Sequence, residues 1–298
     1  MERICYWIDT AILVQSLLIF AIFKFMNVKT KFTNCMDRNN SLVCIGLDSD
    51  VKKLPSHLEK EKNPQFAFNK EIIDSTSDLV CCYKPNSAFY EANGARGVEQ
   101  LKMTCDYIKN KYPEIPIILD AKRADIGNTN DGYTAYTFDY LGVDAVTLQP
   151  YLGSEALAPF LSRKDKVAII LCRTSNPGAG EMQDVKVDGE PYYIYLAKKV
   201  KEEWNKLDNC MLVVGATYPE ELAKVRKLVG DMTLLVPGVG SQGGDIEQSV
   251  RAGMNSEKKG MIINSSRGII FASDGLDFAQ KARQEAEKLR NEINNYRK

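Results

Sequence analysis

The sequence predicts an α/β fold, a single (β/α)₈ barrel. Three observations predict it. Eight short apolar runs occur between residues 42 and 266. Each run ends in a cluster of polar residues or in a cluster that contains glycine or proline. Segments with helical periodicity separate the runs, and the alternating pattern covers about 250 residues, the usual size of such a barrel. The runs are continuously apolar rather than alternating, as expected for parallel strands covered on both faces.

The eight runs are the predicted strands, and helical segments lie between them. In chain order the runs are LVCIGLD (42–48), LVCCYKPN (79–86), IPIILDAK (115–122), DAVTLQP (144–150), KVAIILCRT (166–174), CMLVVGAT (210–217), TLLVPGVG (233–240) and GMIINSS (260–266). Helices are predicted at 97–112, at 190–207 and, as a long final helix, at 275–298. A doubly wound sheet is the competing architecture, but no G-x-G-x-x-G motif follows the first run. Since no linker or repeat divides the chain, one barrel domain is predicted over residues 26–298.

Residues 1–25 are predicted to form an apolar leader outside the barrel. The run AILVQSLLIFAIF at 11–23 is shorter than the about 20 residues of a spanning helix and lies within the range of a signal-peptide core. Arg3 could provide the charge of a signal peptide, but Glu2 and Asp9 offset it, and no A-x-A cleavage site follows. An anchor, a signal and an appended leader are the three interpretations, and the pattern favours the appended leader.

Composition argues against several function classes. Lys plus Arg and Asp plus Glu both count 39, so the formal net charge is zero, and neither nucleic acid nor a membrane surface is an expected partner of the barrel. The single histidine, His57, has no Cys or His near it in sequence, which argues against His-based catalysis and a His-rich metal site. The eight cysteines contain no C-x-x-C pair and mostly fall in strand-like runs. This pattern indicates free core thiols and a reducing, cytoplasmic compartment.

Polar residues are concentrated where the predicted strands end, which is where a barrel of this class holds its active site. Asp120 and Lys122 are two residues apart in a strand, so they are predicted to share a face, and Asp120 would keep Lys122 protonated. Asp125 follows in the loop and could reach the same site or a neighbouring subunit. An ordinary ion pair at a strand end is the alternative explanation. The full set of candidates is Asp48, Lys84, Asp120, Lys122, Asp125, Ser175, Thr217, Gln242 and Arg267.

Two glycine-containing loops indicate a phosphate site. PGVGSQGGD (237–245) follows the seventh run, and NSSRG (264–268) follows the eighth and supplies Arg267. Loops after strands seven and eight usually bind phosphate in this barrel class, through N–H groups, a helix N-terminus and a cation. Tight turns alone would also explain the glycines. After the fifth run, CRTSNPGAGE (172–181) begins a long loop, which is either a lid or binding loop or a solvated insertion.

Six motifs together resemble the orotidine 5′-phosphate decarboxylase family, in the branch found in many bacteria and in apicomplexan parasites. They are GLDSD, YKPN, LDAKRADIGNT, TSNPG, VPGVGSQGGD and NSSRG, in the family order, and the resemblance runs from about Phe32 through the last helix. It implies a carboxy-lyase that converts orotidine monophosphate to UMP, the last step of pyrimidine biosynthesis, without metal or organic cofactor. It also implies a nucleotide monophosphate as the substrate and a homodimer with shared active sites.

The resemblance further implies a role for each matched residue. Lys122 would donate a proton to C6 of the pyrimidine, Asp120 would lie near the substrate carboxylate, and Lys84 would hold Asp120 and the ribose. Asp125 would reach across the dimer interface, and the residues implied beside it are Ile126 and Thr129.

The remaining implied contacts bind the substrate. Asp48 would bind the ribose hydroxyls, and Ser175 would contact the pyrimidine ring. Ser266 stands where the family often has Gly, but its N–H is retained and its hydroxyl adds a donor, so phosphate binding is expected to survive. The residues implied around the phosphate are Pro237, Gln242, Ser266 and Arg267, with Gln242 bridging to the base.

Two other functions remain open at the level of sequence. A metal-dependent sugar-phosphate decarboxylase or synthase on the same barrel would also carry D-x-K-x-x-D, although Lys84 and the SQGG loop favour the pyrimidine enzyme. A catalytically inactive nucleotide-binding barrel would be expected to have lost one of three charges, and Asp120, Lys122 and Asp125 are all present.

Overall fold

The computed structural model of the protein describes residues 28–239 and 245–297. The leader predicted for residues 1–25 lies outside the described residues. The strands in the described part of the chain are β1 (Val43–Gly46), β2 (Cys82–Lys84), β3 (Ile118–Arg123), β4 (Ala145–Leu148), β5 (Val167–Arg173), β6 (Lys186–Val187), β7 (Glu190–Pro191), β8 (Cys210–Val214), β9 (Leu234–Pro237) and β10 (Met261–Ser265).

Helices alternate with these strands. They are α1 (Val28–Arg38), α2 (Pro64–Thr76), α3 (Ser87–Glu91), α4 (Gly94–Lys111), α5 (Asn128–Thr134), α6 (Gly153–Leu161), α7 (Gly180–Gln183), α8 (Tyr192–Lys199), α9 (Pro219–Val229), α10 (Ile246–Gly253), α11 (Arg267–Ile270) and α12 (Phe278–Tyr296). Two of them continue as π-helix, α5 through Ala135–Tyr140 and α8 through Val200–Trp204. Within the two described ranges, no helix is both long and apolar enough to cross a membrane.

Eight of the strands form one parallel sheet that curves into a barrel. Their order is β2-β1-β10-β9-β8-β5-β4-β3. The two strands at the ends of this order, β2 and β3, are also hydrogen-bonded to each other. The Tyr83 N–H donates to Pro116 O at 3.0 Å, and the Asp120 N–H donates to Pro85 O at 2.9 Å. This β2–β3 seam closes the sheet, and the predicted (β/α)₈ barrel is confirmed.

Helix α1 covers one end of the barrel. Its Phe32 and Cys35 are buried, and Lys31 Nζ lies 2.9 Å from Asp144 Oδ2. Asp144 immediately precedes β4 and also accepts the Ile117 N–H, just before β3, at 2.8 Å. These contacts lie at the N-terminal end of the strands, so the opposite, C-terminal end is left to the loops that carry active sites in this fold.

The strands supply the core, as their continuous apolar sequences predict. Every residue of β1, β4 and β8 is buried. Burial raises the pKa of the Cys172 and Cys210 thiols to about 12, so these side chains stay protonated and unreactive at neutral pH. The cysteines predicted to be free core thiols are buried and unpaired in disulfides, namely Cys44, Cys81, Cys82, Cys172 and Cys210.

The predicted helices are present, with one difference after β5. Helices α4 and α12 match the predictions at 97–112 and 275–298, whereas the segment from residue 190 begins in the hairpin β6–β7 and becomes helical at Tyr192. Asp188 and Gly189 have φ angles of 52° and 85°, the two-residue turn geometry that an Asp-Gly pair favours. The long loop after β5 is therefore built from α7 and this hairpin.

Candidate active site

A cavity of about 470 Å³ opens at the C-terminal end of the barrel. All eight barrel strands contribute side chains to it, either from their last residues or from the loops that follow. This is where enzymes of this fold hold their active sites. The predicted site residues that line the cavity are Asp48, Lys84, Asp120, Lys122, Ser175, Pro237, Ser266 and Arg267.

Three of these residues form a chain of alternating charges. Lys84 Nζ lies 2.8 Å from Asp120 Oδ2, and Lys122 Nζ lies 2.7 Å from Asp120 Oδ1. The Lys84 side chain is 4% exposed, whereas that of Lys122 is 50% exposed and faces the cavity. The central carboxylate therefore connects a buried ammonium group to an accessible one.

The fold keeps the buried pair ionised. Burial alone would raise the pKa of Asp120, but Lys84 and Lys122 outweigh it and hold the pKa well below its usual range. Burial alone would likewise lower the pKa of Lys84, yet the carboxylates of Asp120 and Asp48 raise it above its ordinary value. Opposite charges at hydrogen-bond distance favour the charged forms in this way. Asp120 is therefore a carboxylate, and Lys84 an ammonium, at neutral pH.

Two residues that the sequence analysis did not single out complete the hydrogen bonding of Asp120. Asn86 Nδ2 donates to Oδ2 at 3.3 Å, and Thr147 Oγ1 donates to Oδ1 at 2.9 Å. The sequence contains features that could have identified both residues. Asn86 is two residues beyond Lys84, so it shares the strand face of that lysine, and Thr147 is a polar residue within an apolar run, where a buried hydroxyl needs a partner.

Lys122 has a left-handed backbone, with a φ angle of 47°. The pairing of β3 with β4 is irregular between Leu119 and Arg123, and there Thr147 Oγ1 accepts the N–H groups of Ala121 and Lys122, each at 3.0 Å. A left-handed conformation costs a residue with a side chain about 1–2 kcal/mol. The ammonium group of Lys122 contacts Asp120, as predicted, but it does so from a bulged strand rather than a regular one.

Side-chain hydrogen bonds fix the backbone on either side of Asp48. Tyr90 OH donates to Leu47 O at 2.8 Å, and Gln65 Nε2 donates to Ser49 O at 2.7 Å. Asp48 Oδ1 is buried and has no hydrogen-bond partner in the described part of the chain. Since buried polar oxygens are ordinarily bonded, this oxygen is suited to accept a hydrogen bond from a ligand hydroxyl.

Pro237, Ser266 and Arg267 meet at the ends of β9 and β10. Gly46 of the adjacent β1 permits this approach, because a Cβ atom at that position would lie 1.8 Å from Ser266 Oγ. Arg267 is exposed and lines the cavity, so it offers a cation to an anionic ligand. Gln242, the remaining predicted phosphate contact, lies outside the described residues.

Ser175 is placed by an ordered loop after β5. The Thr174 N–H donates to Gln183 Oε1 at 2.9 Å. The preceding residue, Arg173, is buried and pairs with Glu221 through Nε and Oε2 at 2.5 Å. This loop therefore forms an ordered wall of the cavity.

The structure leaves four predicted residues outside the lining of the cavity. Asp125, Ile126 and Thr129 follow β3 but do not line it. Ile126 is 61% exposed, and the Asp125 N–H donates to Asn130 Oδ1 at 2.9 Å. Thr217, also a strand-end candidate, is absent from the lining, and its buried Oγ1 has no partner among the described residues.

The sequence and the barrel of this chain are both similar to those of one protein family. The chain matches the model of the orotidine 5′-phosphate decarboxylase / HUMPS family over residues 41–282. An orotidine 5′-phosphate decarboxylase of Cellvibrio japonicus (strain Ueda107) is 50% identical over 244 residues, which cover 81% of this chain and 89% of that protein. The structure of Leishmania donovani OMP decarboxylase has a TM-score of 0.80 at 35% identity and covers 91% of this chain and 99% of that one. The chain belongs to the orotidine 5′-phosphate decarboxylase / HUMPS family.

Proposed function

We propose that the protein decarboxylates orotidine 5′-monophosphate to UMP. The observation that carries the proposal is the row of charges from Lys84 through Asp120 to Lys122, which presents one accessible ammonium group inside the barrel mouth. A relative named orotidine 5′-phosphate decarboxylase that is 50% identical over 81% of the chain supports the same activity.

The reaction breaks the bond between C6 of the pyrimidine and its carboxylate carbon. CO₂ leaves, and the electron pair stays on C6, in the ring plane, where the π system cannot delocalise it. The Lys122 ammonium group stabilises this developing charge and then donates its proton to C6. Lys122 regains a proton from water, so the reaction balances without a redox step.

In this proposal Asp120 and Lys84 orient Lys122 rather than exchange protons with the substrate. Because its pKa is held low, Asp120 remains a carboxylate and keeps Lys122 Nζ within 2.7 Å. Lys84 in turn fixes the other oxygen of that carboxylate. Charges fixed before the substrate arrives need no reorganisation when the carbanion forms, which is the principal advantage of a preorganised site.

Binding of the substrate phosphate supplies further stabilisation. Enzymes lower barriers by about 8–23 kcal/mol, whereas one well-placed donor contributes only about 3–4 kcal/mol. Arg267, Ser266 and Pro237 are the proposed phosphate contacts, together with Gln242. Binding energy from this remote group can be used to hold the reacting carbon against Lys122.

We also propose a homodimer in which Asp125 of one subunit completes the site of the other. Asp125 does not line the cavity of its own chain. Large apolar side chains are exposed beside it at the ends of the paired strands β3 and β4: Ile126 is 61%, Tyr151 78% and Leu152 40% exposed. Exposed apolar patches of this kind mark interaction surfaces. A cytoplasmic location, inferred from the buried free thiols, is part of the same proposal.

The test is the ultraviolet absorbance of orotidine monophosphate mixed with purified protein in EDTA. We expect turnover by the wild type and a loss of about 10³-fold or more for Lys122→Ala, since both charge stabilisation and proton donation are removed. Lys164→Ala, which removes an exposed lysine outside the cavity, is the matched control and should keep wild-type activity. Absence of turnover by the folded wild type contradicts the proposal, and sugar phosphates with Mg²⁺ would be tested next.

A further inference from the structure

Thr147 has an unusual position for a hydroxyl group. It lies in the middle of β4 with 1% of its surface exposed, and the residues around it in the strand are apolar. All three hydrogen bonds described for its Oγ1 go to one segment of β3. The hydroxyl accepts from the N–H groups of Ala121 and Lys122, each at 3.0 Å, and donates to Asp120 Oδ1 at 2.9 Å.

These three contacts use the full capacity of the group. A hydroxyl has one proton to donate and two lone pairs that accept. The two backbone N–H groups can act only as donors, and ionised Asp120 only as an acceptor. The Thr147 proton must therefore point at Asp120, and the hydroxyl cannot rotate without losing a bond.

The same hydroxyl replaces backbone pairing where the ladder is interrupted. The register of β3 against β4 breaks between Leu119 and Arg123, and the N–H groups of Ala121 and Lys122 bond to the Thr147 side chain instead. In this stretch Lys122 has its φ angle of 47°. Thr147 thus secures both the bulge that aims Lys122 and the carboxylate that its ammonium group contacts.

We propose that Thr147 is a positioning residue for the decarboxylation step, acting through the backbone and ammonium group of Lys122 and the carboxylate of Asp120. The inference rests on the proposed function and extends it to a residue on the neighbouring strand. Without the hydroxyl, the Lys122 backbone loses the contact that holds its left-handed conformation. The distance between Nζ and the reacting carbon then varies more from one bound complex to the next. Small errors in such distances cost large factors in rate.

The test compares Thr147→Val with Thr147→Ser. Valine keeps the branched shape and removes the hydroxyl, whereas serine keeps the hydroxyl. We expect Thr147→Val to lower kcat by about 10- to 100-fold, with KM and the Kd for UMP within about 3-fold of wild type. Thr147→Ser should restore kcat to within about 3-fold of wild type. Should Thr147→Val fail to fold, Thr147→Ala provides the variant without the hydroxyl.

A second readout does not depend on turnover. Amide hydrogen exchange at Ala121 and Lys122 should accelerate in Thr147→Val and stay slow in Thr147→Ser, because only the serine variant retains an acceptor for these N–H groups. Unchanged kcat in Thr147→Val, equal losses in both variants, or a loss confined to KM and UMP binding would each overturn the inference. If the wild type itself did not turn over orotidine monophosphate, the proposed function would fail, and amide exchange would still decide whether Thr147 holds the Lys122 backbone.

Discussion

At the scale of the residue, Asp120 is saturated with hydrogen bonds. Its two oxygens accept from Lys84, Lys122, Asn86 and Thr147, and a carboxylate has about four acceptor positions. The ion pair with Lys84 is buried. Breaking a buried pair on one side leaves an uncompensated charge, which is far more costly than removing both partners.

Asp120→Asn tests this dependence. The substitution keeps the side-chain shape but leaves Lys84 without the carboxylate that it contacts. We expect the free energy of unfolding at pH 7 to fall by about 3–5 kcal/mol, measured by urea denaturation. Asp274→Asn, at an exposed aspartate, is the matched control and should change stability by less than about 0.5 kcal/mol.

The difference in the free energy of unfolding between wild type and Asp120→Asn should depend on pH with a definite sign. The pKa of Asp120 is lower in the folded protein than in the unfolded chain, so its stabilisation is complete above the unfolded value of about 3.9. This stabilisation is lost as the pH falls through the pKa that Asp120 has in the folded protein. The gap between wild type and Asp120→Asn should therefore stay level from pH 7 to about pH 5 and narrow below about pH 4. A gap that widened on acidification would contradict this assignment.

At the scale of the element, Arg226 ties helix α9 to its neighbours. Its buried guanidinium donates to the backbone carbonyls of Gly230 at 2.5 Å, Met232 at 2.6 Å, Gly253 at 2.8 Å and Gly260 at 2.7 Å. These carbonyls follow α9, end α10 and precede β10. One side chain thus connects three chain segments through their backbone carbonyl groups.

Arg226→Met should destabilise the fold without altering the chemistry. Methionine fills part of the volume but donates no hydrogen bond, and hydrogen bonds from a charged donor contribute about 1.5–3 kcal/mol each. We expect a loss of about 3 kcal/mol or more in thermal or urea unfolding, with kcat unchanged per folded molecule below the transition. A reduced kcat in fully folded protein would show that this connection reaches the active site.

The sequence identified the elements better than the contacts between them. Strand β3 was predictable because an apolar run ends in charges, and the pairing of Lys122 with Asp120 followed from spacing alone. The bulge in β3 was not predictable, because the φ angle of Lys122 depends on the hydroxyl of Thr147, which is 25 residues away in the chain. The hairpin at Asp188 and Gly189 carried a turn signal that the helical periodicity of the following segment obscured.

At the scale of the whole molecule, the proposed dimer makes each active site the product of two chains. Lys122→Ala and Asp125→Ala homodimers should both be inactive, because each lacks one component in both of its sites. In a heterodimer, one site would carry both substitutions and the other would carry neither. Mixing equal amounts with full exchange should therefore restore about a quarter of the wild-type activity per subunit.

Subunit exchange must be verified independently, for example with two affinity tags. Recovery of activity only when exchange occurs would support Asp125 acting in the partner's site. No recovery despite verified exchange would place Asp125 in its own subunit or outside catalysis.

The β2–β3 seam runs through the active site, and this coincidence matters for anyone who engineers the barrel. The Asp120 N–H bonds to Pro85 across the seam, and its side chain pairs with Lys84 of β2. The buried ion pair between Lys84 and Asp120 therefore also connects β2 and β3, the two strands that close the barrel. Variants at Lys84 or Asp120 change barrel closure together with reactivity, whereas the ion pair that the half-exposed Lys122 makes with Asp120 lies within β3. Stability and rate cannot be optimised independently at those two positions.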